Sequence, residues 1–465
     1  MTRHSSSDLL FLSAMQQARL IREGQVSSLE LTDLYLDRIT EYNDRLHAFV
    51  SVQAKRARKA ARRADSMRSR SPQGDLPLFH GVPTGIKDLV PTKWSPTRLG
   101  SRAYRYFISP FDALVAQRIK AGGFISLGKL ATSEFGAMPV TEPEIHPPTL
   151  NPWDVNRSSG GSSGGSSSAV SAHLIPIAHG SDGGGSVRIP SAFTHLYGFK
   201  PSLSLLGNLH GETYNRLGIS VMGPLSRYVE DAAAMLDVMA GSPMQEVHAD
   251  SCQSAIQKEP GDLRIRLLTN TSLGDIDPEI LEATRELAQT LRSLGHTVEE
   301  GEAPPISLED FLPIWRFAIS GVRTLSDRSL QAVTRWLRAE DIQVTFAVAE
   351  ARRVALAKRM EDAFKGADIL LTPTVPSSAP LIGAFKAFKN PEDAFSEAAR
   401  FGSLTAGFNI TQGPAATIPI GLTKIGLPIG AQIGARVGKD HLILSLSRQI
   451  ESALPWHTRR PSAFV

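Results

Sequence analysis

The chain has a single cysteine, Cys252. One thiol excludes an intramolecular disulfide and any zinc site of the multi-cysteine kind, and it fits a reducing compartment. The histidines are scattered with no pair at i,i+3 or i,i+4, so the helical H-E-x-x-H arrangement is absent and no metal is expected. Charge of one sign is also lacking: 50 Lys and Arg stand against 46 Asp and Glu, and the +4 that remains is small for 465 residues. Such a balance gives no electrostatic footprint for a polyanion. The most basic run, Lys55–Arg70, has Ala54, Ala57, Ala61 and Ala64 on one helical stripe and charges elsewhere, which is the pattern of a solvated helix face rather than a nucleic-acid contact. Long apolar runs are missing. The opening MTRHSSSDLLFLSAMQQARLIREGQ breaks off too soon for a signal h-region and nothing later approaches a membrane span, so the expected location is the cytoplasm with no membrane partner. No internal repeat is visible.

What is present is an ordinary globular mixture, 42% hydrophobic and 21% charged, with length enough for a large core. Ser27 and Glu30 form a capping box ahead of Leu31, Leu34, Tyr35, Ile39 and Tyr42 at helical spacing. Asp112–Ala121 reads as a helix stopped by Gly122 and Gly123 before a strand FISLG. Asp277 and Pro278 open another, carried by Ile280, Leu287, Leu291 and Leu294 and stopped by Gly295 before HTVEE. Short apolar runs recur at RIRLL, ADILLTP, AATIPIGL and PIGAQIGARV. Strands alternating with helices predict an α/β fold: a large mixed, mostly parallel central sheet covered by helices on both faces. Pro and Gly are spread rather than gathered at a boundary, so one domain over 1–465 is expected, with a helical N-terminal layer over 1–75. Residues 301–365 read as a helical excursion, in which Phe311, Leu312, Ile314, Trp315 and Phe317 serve either ordinary packing or a wall over an apolar pocket.

One stretch resists this bland reading. Ser158–Ser168 is eleven consecutive serines and glycines, which by composition is a flexible linker. A linker should end at a boundary, yet AVSAHL reads as a helix, LIPIAHG as a buried strand and RIPSAF as a helix start. Two glycine-rich turns thus flank one buried strand. Consecutive backbone N–H groups in such turns can bind a phosphate or a developing oxyanion, and no Lys follows in the P-loop arrangement. Gly160, Ser162 and Gly164 match G-x-S-x-G, the nucleophile elbow, but LNPWDVNRSS before them is a poor strand. With no histidine in a suitable context, the base for a serine nucleophile would be a lysine, kept neutral by burial.

The runs HGVPTGIKDLV, SSGGSSGGSS and GSDGGGSVRIPSAFTHLYGFKPS resemble, in order and spacing, the signature of the amidase signature family of Ser-Ser-Lys hydrolases. Further matches at GSRAYRYF, LNPWDVNRSSGG, GISVMGPLSRYVEDAAAMLDVMAG, ADILLTPTVP and LTAGFNITQGPAATIPIGL extend the likeness from about Ser27 to the C-terminal helix. The resemblance implies Ser186 as nucleophile, Ser162 as bridging serine, preceded by a cis peptide bond from Gly161, and Lys87 as base. Ser162 rather than Ser163 stands 24 positions before Ser186, the family's spacing. It further implies an oxyanion hole from the N–H groups of Gly183, Gly184, Gly185 and Ser186, and substrate contacts at Met138, Gly161 and Ser163. Asp182 and Arg188 are expected to pair and hold the loop. Met138 reads equally as core filler, Ser163 as a helix cap, and His179 and His195 as structural histidines. The activity implied is hydrolysis of the C–N bond of a small-molecule amide through an acyl-enzyme, without a cofactor, in a chain compatible with a homodimer.

Two departures bear on substrate. The family commonly has T-D-[ST]-G-G-S where this chain has Ser181, Asp182, Gly183, Gly184, Gly185 and Ser186, and MGSSTEN where this chain has GAMPVTEP with Pro139. Together with the aromatic excursion near Trp315 they point to apolar or aryl amides, with carbamates and esters as side activities. The alternatives are the amidase subunit of a tRNA-dependent amidotransferase, which works with partner subunits, and a catalytically silent binding homologue.

Overall fold

The computed structural model describes residues 6–71, 76–210, 215–242, 244, 250–339 and 344–464. Its centre is an eleven-stranded sheet. From one edge the strands run Phe49–Val52, Ile125–Leu130, Pro83–Lys87, Ile177–Asp182, Val221–Ser226, Tyr197–Lys200, Ala415–Leu422, Pro428–Gly434, Ile369–Pro373, Arg264–Leu268 and Thr297–Gly301. The mixed, helix-flanked sheet matches expectation in kind, but it is not mostly parallel. Of its ten neighbouring pairs, four are parallel and six antiparallel. The reason is connectivity. Parallel neighbours need a crossover, whereas Ala415–Leu422 and Pro428–Gly434 are joined by a short return that reverses the chain.

The elements follow local chemistry closely. Ser27 Oγ accepts the Glu30 N–H at 3.0 Å and the Glu30 carboxylate accepts the Ser27 N–H at 2.8 Å, capping the helix Ser28–Leu46, which buries Leu31, Tyr35, Leu36 and Ile39. Helix Ala54–Arg70 buries only Ala57 and Ala61, so its basic residues form a solvated face. The N-terminal layer, residues 1–5 and 72–75 of which lie outside the described residues, also supplies the edge strand Phe49–Val52. Helix Pro278–Ser293 starts at Asp277, whose side chain accepts the Glu279 N–H. The excursion over 301–365, of which 340–343 lie outside the described residues, holds helices Leu308–Ser320, Ala332–Leu337 and Phe346–Ala363. Among the described residues no helix is long and apolar enough to cross a membrane.

The serine and glycine tract is structured throughout. Asp154–Ser158 is a strand after all, pairing with Leu150–Asn151 in a two-stranded ribbon outside the central sheet and bridged once, from Arg157, to Leu381. Gly164–Ser171 is a helix with all eight residues buried. Glycine is required there by packing, since a β-carbon on Gly165 would lie 2.2 Å from the Ala131 nitrogen. The buried hydroxyls are each satisfied. Ser166 donates to the His179 carbonyl at 2.8 Å, Ser167 to Ser159 at 3.0 Å, Ser168 to Leu150 at 2.9 Å and Ser171 to Thr194 at 2.8 Å. An unsatisfied buried hydroxyl costs roughly 1–3 kcal/mol, so these bonds explain why a polar tract can sit beneath the sheet's end. The tract is a cross-linked layer of core.

Candidate active site

Strand Pro83–Lys87 and its parallel neighbour Ile177–Asp182 end at the same side of the sheet, bringing Lys87 beside Ser181 and Asp182. Lys87 Nζ is fully buried and donates to Ser162 Oγ and Ser163 Oγ at 2.8 Å each, to Ser181 Oγ at 3.1 Å and to the Ser181 carbonyl at 3.3 Å. All four acceptors are neutral. Burial therefore pushes this lysine down from 10.5 to about 7, against the opposing influence of Asp182. The peptide bond from Gly161 to Ser162 is cis. Ser162 and Ser186 line one cavity and are not hydrogen-bonded to each other; bonds of this kind often tighten only when substrate binds.

The loop from Asp182 to Arg188 is held by charge. Arg188 Nε and Nη2 donate to the two Asp182 oxygens at 2.9 and 2.8 Å, and both side chains are wholly buried. Arg188 also donates to the Thr405 carbonyl at 2.8 Å, to Gln432 Oε1 at 2.7 Å and to Asn409 Oδ1 at 2.7 Å. Burial alone would raise the Asp182 carboxyl, but Arg188 holds it well below the usual range. Asp182 in turn accepts the N–H groups of Gly185 at 2.8 Å and Val187 at 3.1 Å. This corrects one expectation: the Gly185 N–H is committed to Asp182 and is not free for an oxyanion. The N–H groups of Gly183, Gly184 and Ser186 have no acceptor among the described residues. Thr405 Oγ1 donates to the Gly184 carbonyl at 2.7 Å and so fixes the orientation of that peptide.

Two cavities meet at Ser186. The narrower is apolar, with Met138, Ile189, Leu308, Phe311, Phe395 and Ala399 in its wall. The wider carries Leu89, Phe107, Phe135, His210, Ile319 and Ser162. Gly136, Ser186 and Trp315 belong to both. The Trp315 indole N–H donates to the Ala137 carbonyl at 3.2 Å, which fixes the ring between them. The excursion is thus both packing and pocket wall. Of the residues expected to touch substrate, Met138 lines the narrow cavity, but Gly161 and Ser163 line neither. Gly161 is packed on backbone, where a β-carbon would meet the Val140 nitrogen at 2.6 Å, and Ser163 lies under Lys87. His179 and His195 are buried and held neutral to about 3 by desolvation. No group of three His, Cys, Asp or Glu among the described residues could hold a metal ion.

Several participants escape a sequence reading. Ser181 supplies two of the four hydrogen-bond acceptors for Lys87, and Thr405, Asn409 and Gln432 support Arg188 from more than 200 residues away. The polar residues inside the apolar runs LTAGFNIT and PIGAQIG were their only signal.

A model of the family Amidase matches residues 30–324 and 318–444. The chain belongs to the amidase signature family. This hydrolase is 33% identical to the 6-aminohexanoate-cyclic-dimer hydrolase of Pseudomonas sp. (strain NK87), over 97% of each chain. It is 30% identical to an acylamidase of Rhodococcus erythropolis, over 98% of each. The solved structure of 6-aminohexanoate cyclic dimer hydrolase complexed with substrate superposes with a TM-score of 0.88 at 32% identity, covering 98% of this chain and 100% of that one.

Proposed function

We propose that this amidase signature hydrolase cleaves the C–N bond of apolar amides through an acyl-enzyme on Ser186. The observation that carries the reading is the buried Lys87 ammonium site, which has hydroxyls and a carbonyl for partners and no carboxylate within hydrogen-bond reach. A lysine so placed is half neutral near pH 7 and can accept a proton. Lys87 takes the Ser162 proton, Ser162 takes that of Ser186, and Ser186 Oγ attacks the amide carbonyl. The free N–H groups of Gly183, Gly184 and Ser186 receive the oxyanion, where one donor is worth about 3–4 kcal/mol in the transition state. The relay then runs backwards to protonate the leaving amine, and water hydrolyses the ester.

The aromatic and aliphatic wall around Met138, Phe311, Trp315 and Phe395 favours a substrate with little polarity beside its carbonyl. Relatives named for an acylamidase and for a cyclic dimer of an aliphatic amino acid agree with that class. The test is a pair of initial rates, an aryl anilide against the primary amide of the same acid, with Ser186→Ala as blank. A faster anilide, lost in the variant, is expected; a primary amide turned over much faster would refute the apolar assignment, and activity in the blank would refute Ser186. The 6-aminohexanoate cyclic dimer belongs in the same panel as the ring-shaped member of this class.

A further inference from the structure

Ser162 and Ser186 differ in what they face. Ser186 stands where the two cavities join, whereas Ser162 opens only onto the wider one. In the relay above, Ser162 is the group that returns a proton to the departing nitrogen, so that nitrogen must lie on the Ser162 side of the carbonyl. The opposite substituent then has the narrow apolar cavity available to it, on the far side of Trp315. We infer that the acyl chain enters the narrow cavity, that the leaving amine lies in the wider one, and that His210 there is the residue that selects amines carrying a polar group. This inference rests on the Ser186 acyl-enzyme reading.

His210 has the fixed position that such a role needs. Its Nε2 lies 3.0 Å from Ser220 Oγ. Ser220 is itself clamped by Asn215, whose Oδ1 accepts the Ser220 N–H at 3.1 Å while its Nδ2 donates to the Ser220 carbonyl at 2.7 Å. No second hydrogen bond to the ring is formed among the described residues, so Nδ1 is left for a ligand in a mixed wall, where Leu89, Phe107, Phe135 and Ile319 stand beside Thr97 and Tyr104. Desolvation, and then the Lys87 charge, lower this imidazole to about 4, so near neutral pH it offers a hydrogen bond without a charge. A neutral imidazole suits an amide or hydroxyl farther along the amine and gives nothing to a plain alkyl chain.

Alkanesulfonyl fluorides of increasing chain length separate the two halves without requiring turnover. Ser186 Oγ bonds to sulfur, the S–F bond breaks, the hydroxyl proton passes to the Ser162–Lys87 relay and fluoride leaves. Labelling at Ser186, read by peptide mass, is expected to speed up from methyl to hexyl in the wild type. Ala399→Leu in the narrow cavity should remove at least tenfold of that chain-length gain, with Leu308→Trp as a second variant should the first fold poorly, while Ile319→Trp in the wider cavity should retain it. In parallel, hexanoyl amides of 6-aminohexanamide and of hexylamine are compared, and His210→Phe should cut the preference for the polar amine about tenfold. Loss of the chain-length gain in Ile319→Trp but not in the narrow-cavity variants would reverse the assignment, and an unchanged amine preference in His210→Phe would remove His210 from it. Absence of label at Ser186 in the wild type would instead refute the nucleophile itself.

Discussion

Lys87 and Lys129 stand on adjacent parallel strands, Pro83–Lys87 and Ile125–Leu130, and both are shut off from solvent, at 0% and 1% exposure. Their partners differ. Lys129 Nζ donates to the Val90 carbonyl and, at 3.1 Å, to Thr97 Oγ1, and lies 3.4 Å from the Asp88 carboxylate, which is also buried. Lys87 has three serine hydroxyls and a carbonyl, and the carboxylate whose charge acts on it, Asp182, is fully engaged by Arg188. Burial lowers both lysines, but at Lys129 the Asp88 charge works against it, and Asp88 is raised by burial and lowered in turn by Lys129. Depth sets the penalty on the charged form, and the carboxylate decides whether that form is retained. One lysine is a buried ion pair and the other is a candidate base.

The largest effect should come from replacing each lysine. Lys87→Ala is expected to lower the anilide rate by on the order of 10³-fold or more, the scale typical of removing one member of a catalytic triad. Lys129→Met leaves Asp88 buried without its cation and should cost about 3–5 kcal/mol in urea unfolding. Its rate per folded molecule, counted by active-site titration, should stay within a few-fold of the wild type. Equal loss of rate in both variants, with equal stability, would erase the distinction.

This distinction was only partly legible in the sequence. GIKD and the spacing of Ser162 from Ser186 single out Lys87 because the run of residues matches a known signature. That Lys129 is equally buried follows from sheet order, and in GKLATSEF nothing local announces it. Strand and helix positions such as Arg264–Leu268 and Pro278–Ser293 were visible because period and caps are local properties. Apart from the short return between Ala415–Leu422 and Pro428–Gly434, strand direction depends on how distant segments pair, which is why a mostly parallel sheet was expected and a mainly antiparallel one is found. The commitment of Gly185 to Asp182 was hidden for a related reason. Four consecutive N–H groups look alike in sequence, and only the turn of the loop decides which of them faces the carboxylate.

A pH profile sharpens the comparison. The protonated form of Lys87 cannot accept a proton, so kcat/KM should rise about tenfold per pH unit below about 7 and level off above it. Stability should follow the same group. Between about 7 and 10.5 the unfolded chain binds a proton that folded Lys87 does not, so stability rises with pH through that window. The slope from one such group is at most about 1.4 kcal/mol per pH unit. Lys200, also buried and lowered to about 7 by desolvation, adds a second contribution of the same sign. Lys87→Met should remove only its own share of the slope, leaving that of Lys200. A rate profile flat between pH 6 and 8 would take the proton relay away from Lys87, whatever the stability curve shows.

The smallest effects are expected inside the loop that carries Ser186, where neighbouring glycines are unequally constrained. Gly185 has φ +132°, and a β-carbon there would lie 2.3 Å from Thr405 Oγ1, the hydroxyl that fixes the Gly184 carbonyl. Gly185→Ala should therefore cost about 1–3 kcal/mol of stability through its backbone conformation alone, with loss of rate as the Thr405 contact shifts. Gly183 is free of that conformation, and its β-carbon would meet the Trp315 ring at 3.4 Å, an ordinary contact. Gly183→Ser restores a residue common in the family at this turn. It should change the anilide rate by less than about threefold, because it leaves the Asp182, Arg188 and Thr405 bonds to the loop in place. A large loss in Gly183→Ser would mean that the space beside Trp315 is used by the substrate, and that Gly183 is a specificity feature of this chain.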